Sequence, residues 1–421
     1  MTLFKSALSS VEEVMIKVLV IGYVWPEPNS SAAGTHMMSL LRLYKQQGWQ
    51  VEFATPAAPS DHMIDLTSEG ITSKQITLNC DSFDSYLLEF QPDIVMFDRF
   101  MMEEQFGWRV EKNCPDALKV LDTEDLQFLR NARHQAHKSE RAVTQTDLYS
   151  DLAKREIAAI LRCDISLIIS TFEMELLTTR FNIDPSLLHH LPFMVNLNQC
   201  PTETKDYSQR QHFMTIGNFR HAPNWDTVLY LQKIWPLIRK QLPQAELHIY
   251  GSYPPPKATA LNNTKTGFLI KGWAEDAYQV MEQSRICLAP IRFGAGIKGK
   301  LLDAMIMQTP SVTTSVGSEG MHQDEVWPGY VTDNIDNFVQ AAVDLYTQES
   351  LWFEAQQHAS TLLNARYDGE VLGQQWLDKL NHTLVNMAEH RLNNFTGAML
   401  KHHSMASTKY MSQWIAAKNA K

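Results

Sequence analysis

The apolar positions of this chain alternate between two rhythms along most of its length. Short unbroken runs such as "KVLVIGYVW", from Lys17, read as strands buried on both faces. "THMMSLLRLYKQQG", from Thr35, repeats instead at helical spacing and stops on a glycine, and "QVEFATPA" then returns to strand. Strand, helix and strand joined by right-handed crossovers predict a parallel α/β sheet. "PDIVMFDRF" (92–100), "ALKVLDTED" (117–125) and "DISLIISTFE" (164–173) extend that sheet, and the charged helix "DLAKREIAAILR" precedes the last of them. The composition turns polar near 195–211, after which the alternation restarts. "FMTIGNF" (213–219), "AELHIYGS", "GFLIKGW" and "RICLAPIRF" read as strands, and "PNWDTVLYLQKIWPLIRKQ" and "EDAYQVMEQS" read as helices between them. The expectation is two α/β domains in series, 15–195 and 212–365, with the carboxyl ends of their sheets facing each other across a ligand-binding cleft.

Beyond residue 366 the pattern is helical, with Leu372, Trp376, Leu377 and Leu380 on one apolar face. The segment 386–421 carries Arg391, Lys401, Lys409, Lys418 and Lys421 against Glu389, a basic patch on a chain of net charge −10. That patch predicts contact with an anionic membrane surface or with the acidic first domain. Nucleic acid fits less well, because aromatic and basic residues do not interleave there. Residues 1–14 read as a leader before the first strand, with Met15 as a second start. The apolar run after it lacks a positive leader and a small-residue cleavage site, and no run reaches the ~18 apolar residues of a membrane span. The five cysteines are scattered without a CxxC pair, as in reduced core thiols, so the expected location is cytoplasmic.

One stretch breaks the texture: "FGAGIKGKLLDAMIMQTPSVTT", Phe293 to Thr314. Glycines before a helix let an anion approach the backbone, and the helix start offers unpaired N–H groups and partial positive charge. Gly294 and Gly296 suit that role, Lys298 and Lys300 add cations for a diphosphate, and Asp303 stands one turn on, where a carboxylate accepts hydroxyl hydrogen bonds. The same residues also fit a plain surface turn with a Lys300–Asp303 ion pair of a few tenths of a kcal/mol. Neither a Walker loop nor a GxGxxG is present.

The wording of "GNFRHAPNWDTVLYLQKIWP" (217–236), "IYGS" (249–252) and 270–321, with the loop "PEPNSSAAGTHMMSLL" of the first half, resembles the group-one family of glycosyltransferases. That resemblance implies a GT-B fold, two Rossmann-like parallel-sheet domains facing a cleft, here with a C-terminal helical extension. It implies transfer of a sugar from a UDP- or GDP-linked donor, with retention and without a metal, to a saccharide or lipid-linked acceptor in polysaccharide biosynthesis. Asp303 matches the second glutamate of the family's Glu–seven residues–Glu motif, which holds the ribose, and Ala295 replaces the first. By the same resemblance Gly296 and Ile297 offer backbone N–H groups to the donor, and Gly217, Gly294, Glu319 and Gly34 lie along its path. Asn218 and Asn224 stand where relatives carry arginine and lysine. Arg220 and Lys298 are therefore expected to neutralise the diphosphate, with Lys300 behind them.

Asp98 ends a strand where many relatives show histidine, and is expected to act as a base or to orient the acceptor. Pairing with Arg99 or Arg130 is its structural alternative. His36 reads as a cap or surface residue, Met37, Met38, Met101 and Met102 as packing, and 129–156 as a cover over the cleft. Two rivals remain at the level of sequence: a sugar-nucleotide epimerase, and a non-catalytic partner subunit, for which Asn218, Asn224 and Ala295 speak.

Overall fold

The unbroken apolar runs become two parallel sheets, seen in a computed structural model that describes residues 15–201 and 203–419. The expected leader, 1–14, lies outside the described residues. The first sheet contains β1 (Lys17–Ile21), β2 (Gln50–Thr55), β3 (Thr72–Gln75), β4 (Ile94–Asp98), β5 (Leu118–Asp122), β6 (Ile165–Ile168) and β7 (Leu188–His190), in the order β3-β2-β1-β4-β5-β6-β7. The second contains β8 (Gln211–Ile216), β9 (Leu247–Tyr250), β10 (Phe268–Gly272), β11 (Ser284–Ala289), β12 (Ser311–Thr313) and β13 (Gly329–Val331), in the order β10-β9-β8-β11-β12-β13. Central strands such as β4 are buried at every position, as expected of a sheet covered by helices on both faces. Each such Val, Leu or Ile side chain contributes about 1.5–3 kcal/mol when fully buried.

"DISLIISTFE" departs from the expected strand halfway. β6 ends at Ile168, and Ser170 starts a short helix, Thr171–Glu175, which points Glu173 away from the sheet and toward the second domain. The polar linker runs beside the returning chain: Val195 N–H donates to Tyr367 O, and Gly369 N–H donates to Val195 O, both at 2.8 Å.

The last helices do not extend into solvent. In the helix Gly369–Val385, Trp376 and Leu380 join the apolar cluster on one face of the first sheet, and the Trp376 indole donates to the Tyr44 hydroxyl at 2.9 Å. The helix Phe395–Asn419 packs on the helices Phe100–Asn113 and Asp151–Arg162. Arg391 reaches both carboxylate oxygens of Asp164 at 2.8 Å, and Lys401 lies 3.8 Å from Glu111. Of the partners expected for the basic segment, the acidic first domain is the one these residues touch. Among the described residues, no helix is long and apolar enough to cross a membrane.

Candidate functional site

The strand order reverses between β1 and β4 in the first sheet and between β8 and β11 in the second. Loops leaving neighbouring strands in opposite directions at such a point open a crevice at the carboxyl ends. In the first sheet that point is bordered by Tyr23 and by Asp98 with Arg99. In the second it is bordered by the loops 217–221 and 290–298. The glycine-rich stretch and the strand-end acids therefore occupy equivalent places in two facing domains.

The glycines have local reasons. Gly296 has φ 63°, and a Cβ there would lie 2.8 Å from Asp125 Cβ; Gly294 has φ 153°. Lys298 caps the helix Gly299–Ile306, and its ammonium donates to Gly296 O at 2.7 Å and Ala295 O at 3.3 Å. Lys300 Nζ donates to Asn224 Oδ1 at 2.8 Å, and Asn224 Nδ2 donates to Asn218 O at 3.0 Å, so Lys300 ties the loop after β8 to the one after β11. The alternative Lys300–Asp303 pair is thus replaced by a Lys300–Asn224 bond. Gly217 is small because Asn224 crosses it: a Cβ would meet Asn224 Cγ at 2.6 Å. Burial pushes Lys298 and Lys300 down to about 8 and Asp303 up to about 7. Desolvation of two amines and a carboxyl at one helix start marks this place as a candidate binding site.

Several expected donor ligands are placed otherwise. The Gly296 N–H is already given to Glu173 Oε1 at 2.8 Å, across the domain boundary. Ala295 packs into the apolar cluster of the first domain, and Ile297 into that of the second. Arg220 is exposed, with its guanidinium 3.5 Å from the centre of the Tyr253 ring, and the Tyr253 hydroxyl donates to Glu27. Glu319 is clasped by Arg133 at 2.6 and 2.9 Å, and Arg133 also donates to Gly294 O at 2.9 Å. Gly34 makes room for its own loop: a Cβ would lie 2.4 Å from the Glu27 carbonyl carbon, and its N–H caps on Ser31 Oγ. The helix Gln127–Lys138, part of the expected cover, supplies Arg133 and therefore bridges the domains at one side of the cleft.

On the facing wall Asp98 is buried. Its Oδ2 accepts the Tyr23 N–H at 2.9 Å, and its Oδ1, 3.7 Å from Arg99 Nε, has no hydrogen-bond partner among the described residues. Arg130 pairs with Asp125 instead. Asp122, paired in register with Asp98, is pushed up to about 7 by burial and then by the Asp98 charge, and burial raises Glu124 well above the carboxylate range. Arg99 and Glu124 both adopt left-handed backbone, φ 69° and 60°, a strained conformation for such side chains. His36 is 1% exposed and 3.9 Å from Asp122, with burial lowering it to about 4, so it is a neutral core residue and not a surface cap.

Glu173 and Arg133 are not legible in the sequence. Glu173 is fully buried, accepts the N–H groups of Leu126 and Gly296, and is raised to about 7, first by burial and then by Asp125. The one available signal is an acid just past a strand end.

Residues 210–348 match the sequence model of the family described as glycosyl transferases group 1. No curated relative matches the chain. Among solved structures it is similar to sucrose-phosphate synthase from Thermosynechococcus elongatus, at 14% identity and TM-score 0.64, over 88% of this chain and 100% of that one. It is similar to Anabaena Alr3699/HepE in complex with UDP, at 13% identity and TM-score 0.64, over 87% of this chain and 100% of the other. It also resembles a mutant of S. aureus TarM in complex with Fondaparinux, alpha-GlcNAc-glycerol and UDP, at 16% identity and TM-score 0.56. That match covers 71% of this chain and 58% of the TarM chain. The chain has the GT-B fold, and the stretch that matches the group 1 glycosyltransferase model lies in its second domain.

Proposed function

We propose that this group 1 glycosyltransferase moves a hexosyl group from a nucleoside diphosphate sugar to a hydroxyl of a saccharide or glycoconjugate acceptor, with retention. The observation that carries the reading is the pairing of Lys298, Lys300 and Asp303 at one topological switch point with the strand-end carboxylates at the other. Relatives of the same fold have been solved with UDP, which favours a uridine donor.

Cleavage of the sugar–phosphate bond leaves negative charge on the diphosphate and positive charge on the sugar carbon. Lys298, Lys300 and the unpaired N–H groups at the start of the helix Gly299–Ile306 meet the negative charge. Fixed donors of this kind are the largest contribution a protein makes to such a step. Asp303 accepts the ribose hydroxyls. The acceptor hydroxyl attacks from the face the phosphate leaves, and its proton passes to that phosphate. Asp98, held by Tyr23 and beside Arg99, orients the acceptor and does not carry the proton away. No step calls for a metal, and the enzyme works in the cytoplasm.

Calorimetric titration of the protein with UDP, GDP and their common hexose conjugates tests the reading. Binding of one nucleotide that weakens in Lys298→Ala is expected. Absence of binding to all of them would favour the non-catalytic partner reading instead.

The C-terminal helix supports a second contact. Tyr410, Met411 and Trp414 are exposed, with Lys409 and Lys418 beside the Tyr410 and Trp414 rings. Aromatic and basic side chains together suit the headgroup layer of an anionic membrane. Co-sedimentation with phosphatidylglycerol vesicles but not with phosphatidylcholine vesicles is the expected result, and equal recovery with both would exclude it.

A further inference from the structure

Glu173 belongs to the first domain, yet its carboxylate ends in the glycine-rich stretch of the second. Its Oε1 accepts the Gly296 N–H at 2.8 Å and the Leu126 N–H at 3.0 Å. The short helix that carries it, Thr171–Glu175, also presses on a second loop of that domain. The Thr171 hydroxyl donates to Gly320 O at 3.4 Å, and a Cβ at Gly320 would lie 2.1 Å from Ser170 Oγ. Gly296 has left-handed backbone, φ 63°, and Gly299 opens the next helix. A backbone N–H presented by a turn of this kind, ahead of a helix start, is suited to an anion. The anion it holds here is the protein's own carboxylate.

Glu173 is itself only half satisfied. It is fully buried, and its Oε2 has no hydrogen-bond partner among the described residues. A contact that served stability alone would leave neither oxygen unpaired, because a buried unpaired oxygen costs free energy. Asp125 stands near enough to oppose the Glu173 charge, and Lys298 near enough to favour it. A diphosphate drawn to Lys298 therefore competes with this carboxylate for the same N–H and the same cation.

The other end of the cleft repeats the pattern. The Arg220 guanidinium lies on the Tyr253 ring, and the Tyr253 hydroxyl donates at 3.2 Å to Glu27, again a carboxylate of the first domain. The Ser30 hydroxyl donates to Ser252 Oγ at 3.0 Å, and His62 stacks on Trp273 with ring centroids 4.1 Å apart. Two groups that the sequence offers to a diphosphate, the Gly296 N–H and the Arg220 guanidinium, are thus covered from the first domain.

We infer that Glu173 is an internal competitor for the donor: it occupies the Gly296 N–H, ties the two domains together in the absence of ligand, and is displaced by an anionic oxygen of the donor diphosphate when the site fills. The inference rests on the glycosyltransferase reading for the identity of the displacing anion, but not for the closure. A site that is self-bound most of the time shows an apparent affinity reduced by the fraction of time it is free.

The test compares the full chain with its variants in calorimetric UDP titrations, thermal melts and small-angle scattering. Glu173→Ala is expected to bind UDP about tenfold more tightly than the unaltered protein, as for a site free about a tenth of the time. Without ligand it is expected to have the larger radius of gyration. Glu173→Gln keeps an oxygen for both N–H groups but loses the charge, and its affinity is expected to fall between the two. Glu175→Ala, an exposed change on the same short helix, is the control and is expected to alter neither quantity. Where Glu173→Ala fails to fold, the gain in Glu173→Gln decides. An unchanged or weakened UDP affinity in the Glu173 variants overturns the inference, and a lowered melting temperature with unchanged affinity leaves Glu173 a structural role only. Scattering separates the two readings. Absence of UDP binding in every form, with Glu173→Ala expanded, sinks the transferase reading and leaves the closure. UDP binding with neither gain nor expansion sinks the competitor alone.

Discussion

The two walls of the cleft are built in opposite ways. On the second domain Gly294, Gly296, Lys298, Lys300 and Asp303 come from one stretch of chain that turns into a single helix. On the first, Tyr23, Asp98 and Asp122 arrive from three separate segments and meet only because β1, β4 and β5 are neighbours. The set on the second domain is contiguous in the chain, although Glu173, Arg133 and Asn224 also hold it from outside. A site assembled from strand ends depends on register, and here it carries left-handed backbone at Arg99 and Glu124 as well. In the proposed reading the donor side is drawn mainly from one stretch of chain, and the acceptor side depends on the packing of the first sheet.

The sharpest way to break that contrast is Lys298→Ala. It is expected to cost about a hundredfold in nucleotide affinity, the worth of a desolvated charge-assisted contact, with the melting temperature unchanged or raised. A melting temperature that falls along with the affinity would mean the clamp is structural. Asp98→Asn comes next: turnover is expected to fall about tenfold while nucleotide affinity holds, if the proposed acceptor-orienting role is right. Equal losses in both quantities would erase the division between the walls. Arg133→Ala leaves Glu319 without its partner and is expected to destabilise the fold by about 1–3 kcal/mol in denaturant titrations, and Arg133→Lys to recover little of it, because a lysine cannot grip both oxygens. Full recovery with lysine would show that only charge matters there.

The smallest effect is in pH. Asp303, raised to about 7, gains charge as pH rises through 7, and Lys298, lowered to about 8, loses charge as pH rises through 8. Nucleotide affinity is therefore expected to peak between 7 and 8 and to fall a few-fold by pH 6 and by pH 9, roughly as the charged fractions fall. Stability of the unliganded protein responds differently. The buried Lys298 stabilises more as pH rises through 8, because folding disfavours its charged form. The buried Asp303 contributes fully below its unfolded range and loses that contribution as pH rises through 7. A flat affinity profile across pH 6 to 9 would rule out both groups as donor ligands.

What is legible in the sequence follows the same division. The strands are legible because burial on both faces leaves unbroken apolar runs; the glycine–lysine stretch is visible as a break in texture, while its spacing alone fits a plain turn as well. Asp98 is visible as a polar residue closing an apolar strand. Glu173 is not, since its partner Gly296 lies 123 residues away and an acid just past a strand end looks ordinary. Arg133 and Glu319 are 186 residues apart, and each looks ordinary in its own segment. The basic tail shows its charge but not its direction. That direction comes from Asp164 and Glu111, whose neighbours in sequence give no sign of waiting for Arg391 and Lys401.

The return of the chain to its first domain has a consequence for the order in which the protein is made. A growing chain exposes β1 through β7 early, yet one face of that sheet lacks Trp376 and Leu380 until the helix Gly369–Val385 has been synthesised. The second domain lies wholly between, so it is finished while the first still carries an open apolar face. Domains usually complete in the order of synthesis. Here the first domain is completed by a helix that follows the second domain in the chain, so one face of its sheet stays open until that helix emerges.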